Sequence, residues 1–324
     1  MKTKIVYVVV SDETDIFLEQ ALLSVFSLRK HNPDAFVELV VDQATSNLMT
    51  GKRSEIRKYV TKTTVIEVPA NYGGKGSKSR WIKTNLRDLI EGDYLFIDSD
   101  TIITDTLEEI DDFDADLGAV LDKHAPVRQN KDKDKLLLWS GQDGWTYDDN
   151  LAYFNSGVMY VRDSEFAHQF YREWHKRWQT SSTEYSRIFD QSPLAATNEF
   201  YKYPIKELCG AWNCQPTSGL SYLHKAKVMH YWGYNRKEYA WKFYDRNIIK
   251  EIKQLGYIPK NTADLVDVAK EAFAMPNEVI AGLELQVYYS PVFEACVSDA
   301  RAFAFLRYVS KILLKLLRIL AHLR

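Results

Sequence analysis

Polar and apolar residues fall into blocks of two lengths along this chain. Short, unbroken, largely β-branched or aromatic runs at residues 4–10, 36–41, 63–68 and 94–97 read as buried strands. Between the first two, Leu18, Leu22, Val25, Phe26 and Leu28 recur at helical spacing. Residues 54–59 read as helix. A loop with Gly73, Gly74 and Gly76 leads into a helix from about 79 to 90. The second half is less regular. Strands are predicted at 117–121 and 157–161, helices at 166–178, 247–255 and 263–273, and mixed short strand and loop over 201–212. No internal repeat or low-complexity linker interrupts the pattern. Strands alternating with helices predict an α/β fold with a mostly parallel sheet covered on both faces. Ligands bind such sheets beyond the carboxyl ends of the strands. Ser11-Asp12, Asp42 and Asp98 all fall at strand ends, hence on one rim.

The first apolar run is short and is followed at once by Ser11-Asp12-Glu13, so it reads as a strand and not as an export signal. With 324 residues and 46% hydrophobic content, the chain can bury a full core. A net charge of −2 argues against nucleic acid as the main partner. Three cysteines, Cys209, Cys214 and Cys296, give neither a disulfide framework nor a zinc knuckle, so reduced thiols in a cytosolic protein are expected. The 8 Trp and 20 Tyr serve core packing first, although flat rings also match the apolar faces of a pyranose.

The chemistry concentrates at Asp98-Ser99-Asp100, just past the 94–97 strand. Two carboxylates one residue apart repel unless a cation sits between them, and their hard oxygens suit Mg²⁺ or Mn²⁺. A divalent ion holding a diphosphate is the natural occupant. His230, ending a short apolar strand and followed closely by Gly233, is the best third ligand among seven histidines. An imidazole would tilt the choice toward Mn²⁺.

Four separated segments then resemble family 8-type glycosyltransferases of the GT-A fold, the group containing glycogenin-like enzymes and bacterial lipopolysaccharide galactosyl- and glucosyltransferases. They are Asp93 to Asp100, Tyr153-Phe154-Asn155-Ser156-Gly157-Val158, Asp190-Gln191, and Trp212-Asn213 with Gln215, His230, Gly233 and Arg236. The resemblance spans roughly residues 4–240. It implies a Rossmann-like nucleotide-diphospho-sugar transferase fold with a mixed, mostly parallel central sheet.

The same resemblance implies Asp98, Asp100 and His230 as metal ligands, and Gly233 and Arg236 on the donor diphosphate. Arg236 stands where the family usually has Lys; it keeps the charge and can grip two oxygens. Ser11 and Asp12 would meet base and ribose, and either Arg80 or Lys83 would make a basic donor contact. Asp122, Asn155, Ser156, Asp190 and Gln191 match donor-sugar positions, with Asp190 or the Gln191 carbonyl placed to stabilise a cation-like sugar carbon. Read without the resemblance, Asn155-Ser156 suits a turn before a strand, and Asp190-Gln191 a helix N-cap. The implied reaction moves a hexose from a UDP-sugar to a saccharide or lipid-linked acceptor, with retention. Same-face attack by the acceptor hydroxyl is preferred to a covalent adduct on Asp190. The rivals are a sugar-phosphate nucleotidyltransferase, though no P-loop is present, and an inactive membrane-associated relative.

Residues 300–324 contain no acid, while Arg307, Lys311, Lys315, Arg318 and His322 recur along one helical face. Charges break the apolar runs too often for a bilayer span. The segment reads as a basic amphipathic helix on an anionic membrane surface, each cation there contributing about 1 kcal/mol. The expected organisation is a GT-A domain over 1–240, a helical extension over 241–299 and this helix over 300–324. The expected location is the inner face of the cytoplasmic membrane, in cell-surface polysaccharide or lipopolysaccharide synthesis.

Overall fold

The computed structural model describes residues 1–130, 132–216, 218–219, 221–231, 241–272 and 300–322. The chain divides into two compact units, Met1–Ala274 and Met275–Arg324. In the first, β1 (Lys4–Val9), β2 (Val37–Asp42), β3 (Lys62–Ile66) and β4 (Tyr94–Ile97) pair in parallel. The sheet continues with β7 (Phe154–Val161), β6 (Leu117–Leu121) and β8 (Lys206–Glu207), giving the order β3-β2-β1-β4-β7-β6-β8. β7 runs antiparallel to both β4 and β6, so the sheet is mixed.

Strand period explains how the sheet is held. On β1 the side chains of Ile5, Tyr7 and Val9 enter one apolar cluster, and those of Val6, Val8 and Val10 enter another. Both faces are therefore buried, which is why the strand is an unbroken hydrophobic run. Helix α1 (Phe17–His31) fills the first cluster through Leu18, Leu22, Val25 and Leu28. Helices α3 (Lys75–Thr84), α4 (Leu86–Leu89) and α6 (Glu165–Glu184) fill the second through Ile82, Leu86, Phe170 and Trp174.

Several elements differ from the sequence-based expectation. The 79–90 helix is two, α3 and α4, meeting at Asn85, whose amide bonds back to Ile82 and Lys83. α3 also starts earlier, at Lys75, so Gly76 is helical and not part of a loop. Residues Gly51–Lys58 form a 3₁₀ helix, with Ile56 as the buried anchor. Helix α6 runs six residues past Trp178 because Ser181 remains buried. Asn155 and Ser156 lie inside β7, not in a turn before it.

β7 carries the irregularity that matters most. Its register on β6 jumps from Ala119↔Met159 to Val120↔Asn155, leaving Ser156, Gly157 and Val158 without β6 partners. Such bulges re-aim side chains and recur near active sites. Beyond β4, the Asp98 amide donates to the Gly157 carbonyl at 2.7 Å, which ties the acidic turn to this bulge. Two short strands complete the region. β5 (Thr101–Ile103) pairs antiparallel with β9 (Val228–His230), setting Thr101 opposite His230. Helices α8 (Arg246–Leu255) and α9 (Lys260–Asp267) pack through Ile249, Ile252 and Val266 into the α1 cluster.

In the second unit, residues Ala300–His322 form a helix. Phe305 and Tyr308 are each 66% exposed, and Ile312, Leu313, Leu314 and Leu316 are also open to solvent. No described helix is long and apolar enough to cross a membrane.

Candidate active site

Topology brings together residues that the sequence keeps more than a hundred positions apart. β4 delivers Asp98 and Asp100 in the turn before β5, and β9 returns alongside β5 to deliver His230. The Tyr231 amide donates to the Asp100 carbonyl at 2.9 Å, fixing this register. One ligand atom from each of Asp98, Asp100 and His230 lies within 4.8 Å of the others. Two hard carboxylate oxygens and one imidazole nitrogen form a donor set that fits Mg²⁺ or Mn²⁺.

The hydrogen-bond network fixes how the imidazole is oriented. The Gly157 N–H must donate, so the atom facing it at 2.9 Å is Asn155 Oδ1. Asn155 Nδ2 then donates to Asp122 at 3.0 Å. The same Oδ1 accepts from Asn213 Nδ2 at 2.9 Å, which leaves Asn213 Oδ1 facing His230 Nδ1 at 3.0 Å. Nδ1 therefore donates to Asn213 Oδ1, and Nε2 is the ring nitrogen that faces Asp100, 3.3 Å away. Outer groups that fix the ring in this way are a common feature of metal sites. In the sequence Asn213 appears only within the family-like segment with Trp212 and Gln215 and carries no role there, because its importance lies in an orientation that spacing does not show. Gly157 is part of the same arrangement. A Cβ there would sit 2.3 Å from His230 Cε1.

A largely buried charge cluster adjoins these three side chains. Asp190 is 3% exposed and caps α7 (Gln191–Phe200) by position, yet its side chain makes no capping bond. Instead Oδ2 takes bonds from Lys83 Nζ at 3.1 Å and Ser156 Oγ at 2.9 Å, and Oδ1 lies 3.1 Å from Arg80 Nε. Burial alone would raise the Asp190 carboxyl, but Lys83 and Arg80 outweigh it and hold the pKa at about 2. Lys83 also reaches Asp98 at 3.5 Å and sits over the Phe96 ring. Asp98 is shifted upward, by burial first and by the charge of Asp100, only partly offset by Lys83 and Arg80. Asp100 is shifted downward, because its bond and attraction to His230 outweigh burial. A cation between the two acids would relieve the repulsion between them.

Asp98, Asp100, His230, Asp190, Arg80 and Ser156 line a cleft of about 800 Å³ together with Asp122, Asn155, Gln191, Lys75, Ser79 and Gln20. Gln191 Nε2 donates to Asp122 and to the Phe154 carbonyl, both at 3.3 Å. Asp122 opens a turn in which Lys123 and His124 both have positive φ, 56° and 55°. Such backbone is strained for side-chain-bearing residues and often marks functional sites. Ser11 and Asp12 do not appear in the cleft walls. Ser11 Oγ donates to Asp15 at 2.5 Å, and Asp12 pairs with Lys75 at 2.5 Å. Asp42 caps α2 (Gln43–Leu48), accepting from the Thr45 amide. Gly233 and Arg236 lie outside the described residues.

No protein-family model and no curated protein matches the chain. Solved structures do. The galactosyltransferase LgtC, in complex with donor and acceptor sugar analogs, matches at 18% identity over 81% of this chain and 99% of its own, with a TM-score of 0.51. An active-site mutant of LgtC matches at 18% identity, covering 83% and 100%, with a TM-score of 0.53. The apo bifunctional glycosyltransferase WbbM matches at 15% identity over 82% of this chain and 51% of its own, with a TM-score of 0.54. The chain has the GT-A glycosyltransferase fold. Within that GT-A frame, the Asp98-Ser99-Asp100 turn after β4 and His230 on β9 face one cleft, beyond the carboxyl end of a central strand. This is where open α/β sheets hold their ligands.

Proposed function

We propose that this chain is a metal-dependent retaining glycosyltransferase that moves a hexose from a UDP-sugar to a saccharide or lipid-linked saccharide acceptor. The observation that carries the reading is the meeting of Asp98, Asp100 and His230 in one cleft, beside the buried Asp190, on a GT-A frame. A bound Mn²⁺ or Mg²⁺ would supply fixed positive charge to the departing diphosphate. Asp98, Asp100 and the Nε2 of His230 would hold that ion, and Gly233 and Arg236 would contact the diphosphate. Ser11 and Asp12 remain the proposed contacts for base and ribose. Arg80 and Lys83 both face Asp190, so they position it as well as adding charge near the leaving group.

The state of Asp190 bears on mechanism. With both oxygens engaged by cations and its pKa near 2, the carboxylate is a weak nucleophile. It is better suited to stabilising a cation-like anomeric carbon than to forming a bond with it. That supports same-face attack, in which the acceptor O–H adds to the anomeric carbon as the sugar–phosphate bond breaks. The leaving phosphate oxygen takes the proton. The helix Ala300–His322 supports a peripheral seat on the inner face of the cytoplasmic membrane. Its exposed Phe305, Tyr308 and Leu313 alternate with Arg307, Lys311 and Lys315. Lipid-linked acceptors of surface polysaccharide or lipopolysaccharide synthesis fit that location.

The test is UDP release from UDP-glucose, UDP-galactose and UDP-N-acetylglucosamine with Mn²⁺. The reading requires release with at least one donor and its loss on chelation. Pyrophosphate release with a sugar phosphate would point to nucleotidyl transfer instead, and silence with every donor to an inactive relative.

A further inference from the structure

The backbone of the Asp98–Asp100 turn is tied on two sides. Toward β7 and β9, the Asp98 amide donates to the Gly157 carbonyl and the Asp100 carbonyl accepts from the Tyr231 amide. On the other side the tie runs into α1. Thr101 Oγ1 donates to the Asp98 carbonyl at 2.9 Å and so closes the turn across its base. The same Oγ1 lies 2.6 Å from Ser24 Oγ, which in turn lies 3.0 Å from the Tyr7 hydroxyl.

The protons in this chain can be assigned. Thr101 has one hydroxyl proton, and it goes to the Asp98 carbonyl. Ser24 therefore donates to Thr101, and Tyr7 donates to Ser24. The relay runs one way from β1 through α1 to the acidic turn, with every hydroxyl proton used. Tyr7, Ser24 and Thr101 are each 0% exposed. Burial raises the Tyr7 phenol well above its ordinary pKa, so it remains a donor. Bonds in series strengthen one another in such a low-dielectric setting.

Packing alone does not call for this arrangement. Tyr7 belongs to the apolar cluster that also holds Leu22, Val25 and Ile102. Three hydroxyls beside such a cluster are destabilising unless each is bonded. Ser27, one turn further along α1, acts elsewhere. It accepts from the Ile103 amide at 2.8 Å and donates to the Ser24 carbonyl at 2.7 Å, anchoring the far end of β5.

We infer that Tyr7, Ser24 and Thr101 are positioning residues that preset the Asp98–Asp100 turn for a divalent cation. They act through the Asp98 carbonyl and not on the ion. Thr101 serves both sides of the site, because it also stands opposite His230 in the β5–β9 pair. A turn held this way presents its carboxylates already ordered, so less entropy is lost when the cation binds. The inference rests on the cation-site reading and names the residues that support that site.

The test titrates Mn²⁺ alone into the full chain, reads free ion by EPR, and measures the thermal midpoint of the metal-free protein alongside. Thr101→Val keeps the side-chain shape and removes the hydroxyl, and Mn²⁺ affinity falls about tenfold, as it does in Ser24→Ala. Tyr7→Phe, at the start of the relay, lowers it about threefold. Thr101→Ser restores the hydroxyl and stays within about twofold of wild type. Two controls remove buried hydroxyls outside the relay. They are Ser27→Ala and Ser140→Ala, the latter on α5 (Lys133–Asp143), where Ser140 bonds the Leu137 carbonyl of its own helix. Both lower the thermal midpoint while Mn²⁺ affinity stays within about twofold. A wild type that takes up no Mn²⁺ refutes the cation site itself. Wild-type uptake matched by Thr101→Val and Ser24→Ala, or an equal loss in Ser27→Ala, overturns the relay alone. If either of the first two variants does not fold, Tyr7→Phe decides, and wild-type affinity there overturns the relay.

Discussion

Replacing Gly157 by alanine should disable the proposed cation site without substituting any of its three residues. Gly157 does not have positive φ, so its backbone accepts a side chain. The obstacle is space. The new Cβ would lie 2.8 Å from His230 Nδ1 and 2.3 Å from Cε1, the second more than 1 Å inside the ~3.5 Å at which carbon atoms touch. The ring cannot step aside freely. Nδ1 is bonded to Asn213 at 3.0 Å, the His230 amide to the Cys214 carbonyl at 2.8 Å, and β9 is paired to β5. A displacement of about 1 Å exceeds the ~0.2 Å tolerance of metal–ligand distances several-fold. Mn²⁺ affinity should therefore fall about 10- to 100-fold, as when an outer group that orients a ligand is lost. Overpacking should add about 1–3 kcal/mol of destabilisation. The assay is the thermal midpoint as a function of Mn²⁺, where affinity appears as the ligand-dependent rise. Gly118→Ala is the control. Its Cβ would meet the Phe113 ring at 2.6 Å, so it overpacks the core away from the site. The reasoning fails if G157A keeps a Mn²⁺ affinity within twofold of wild type, or if G118A loses it equally.

Other perturbations test separate parts of the account. Asn213→Leu removes the acceptor that holds the Nδ1 proton and should weaken Mn²⁺ binding about tenfold or more, read by the same titration. Asp190→Asn leaves the buried Lys83 and the partly exposed Arg80 without their shared partner and should cost about 3 kcal/mol in denaturant unfolding, along with transfer activity. The pH profile of stability has two stages. His124 and His175 have pKa values lowered by burial to about 4, below the unfolded value, so stability holds above about pH 6.5 and erodes as pH falls toward 4. Asp190, depressed to about 2, keeps its contribution above about pH 4 and loses it only as pH falls toward 2. His124→Gln should flatten the first stage in unfolding curves measured between pH 4.5 and 7; an unaltered slope contradicts the assignment. Deleting residues 300–324 should release the protein from anionic vesicles in a sedimentation assay, and equal pelleting of both forms would remove the membrane reading.

Much of the frame was legible because parallel sheets buried on both faces write themselves as unbroken apolar runs. β1, β4 and β6 appear in the sequence nearly to the residue, and the acidic turn after β4 is visible as a break in polarity. What was not legible is tertiary. The antiparallel return of β7 and its three-residue bulge leave no periodic trace, so Asn155 and Ser156 looked like a turn. Asp190 looked like an N-cap, as its position allows, but Lys83, Arg80 and Ser156 recruit its oxygens into a buried cluster. Lys83 read as one of two candidate basic donor contacts, and nothing in the sequence marks it as 2% exposed and bonded to Asp190.

The most direct test is the Mn²⁺ EPR signal of free ion, followed as protein is added with and without UDP. The account predicts one bound Mn²⁺ per chain, held more tightly when UDP is present, and lost in Asp98→Ala, Asp100→Ala and His230→Ala alike. Undiminished free Mn²⁺ with the wild type, or the same uptake by all three variants, would show that these side chains do not share an ion.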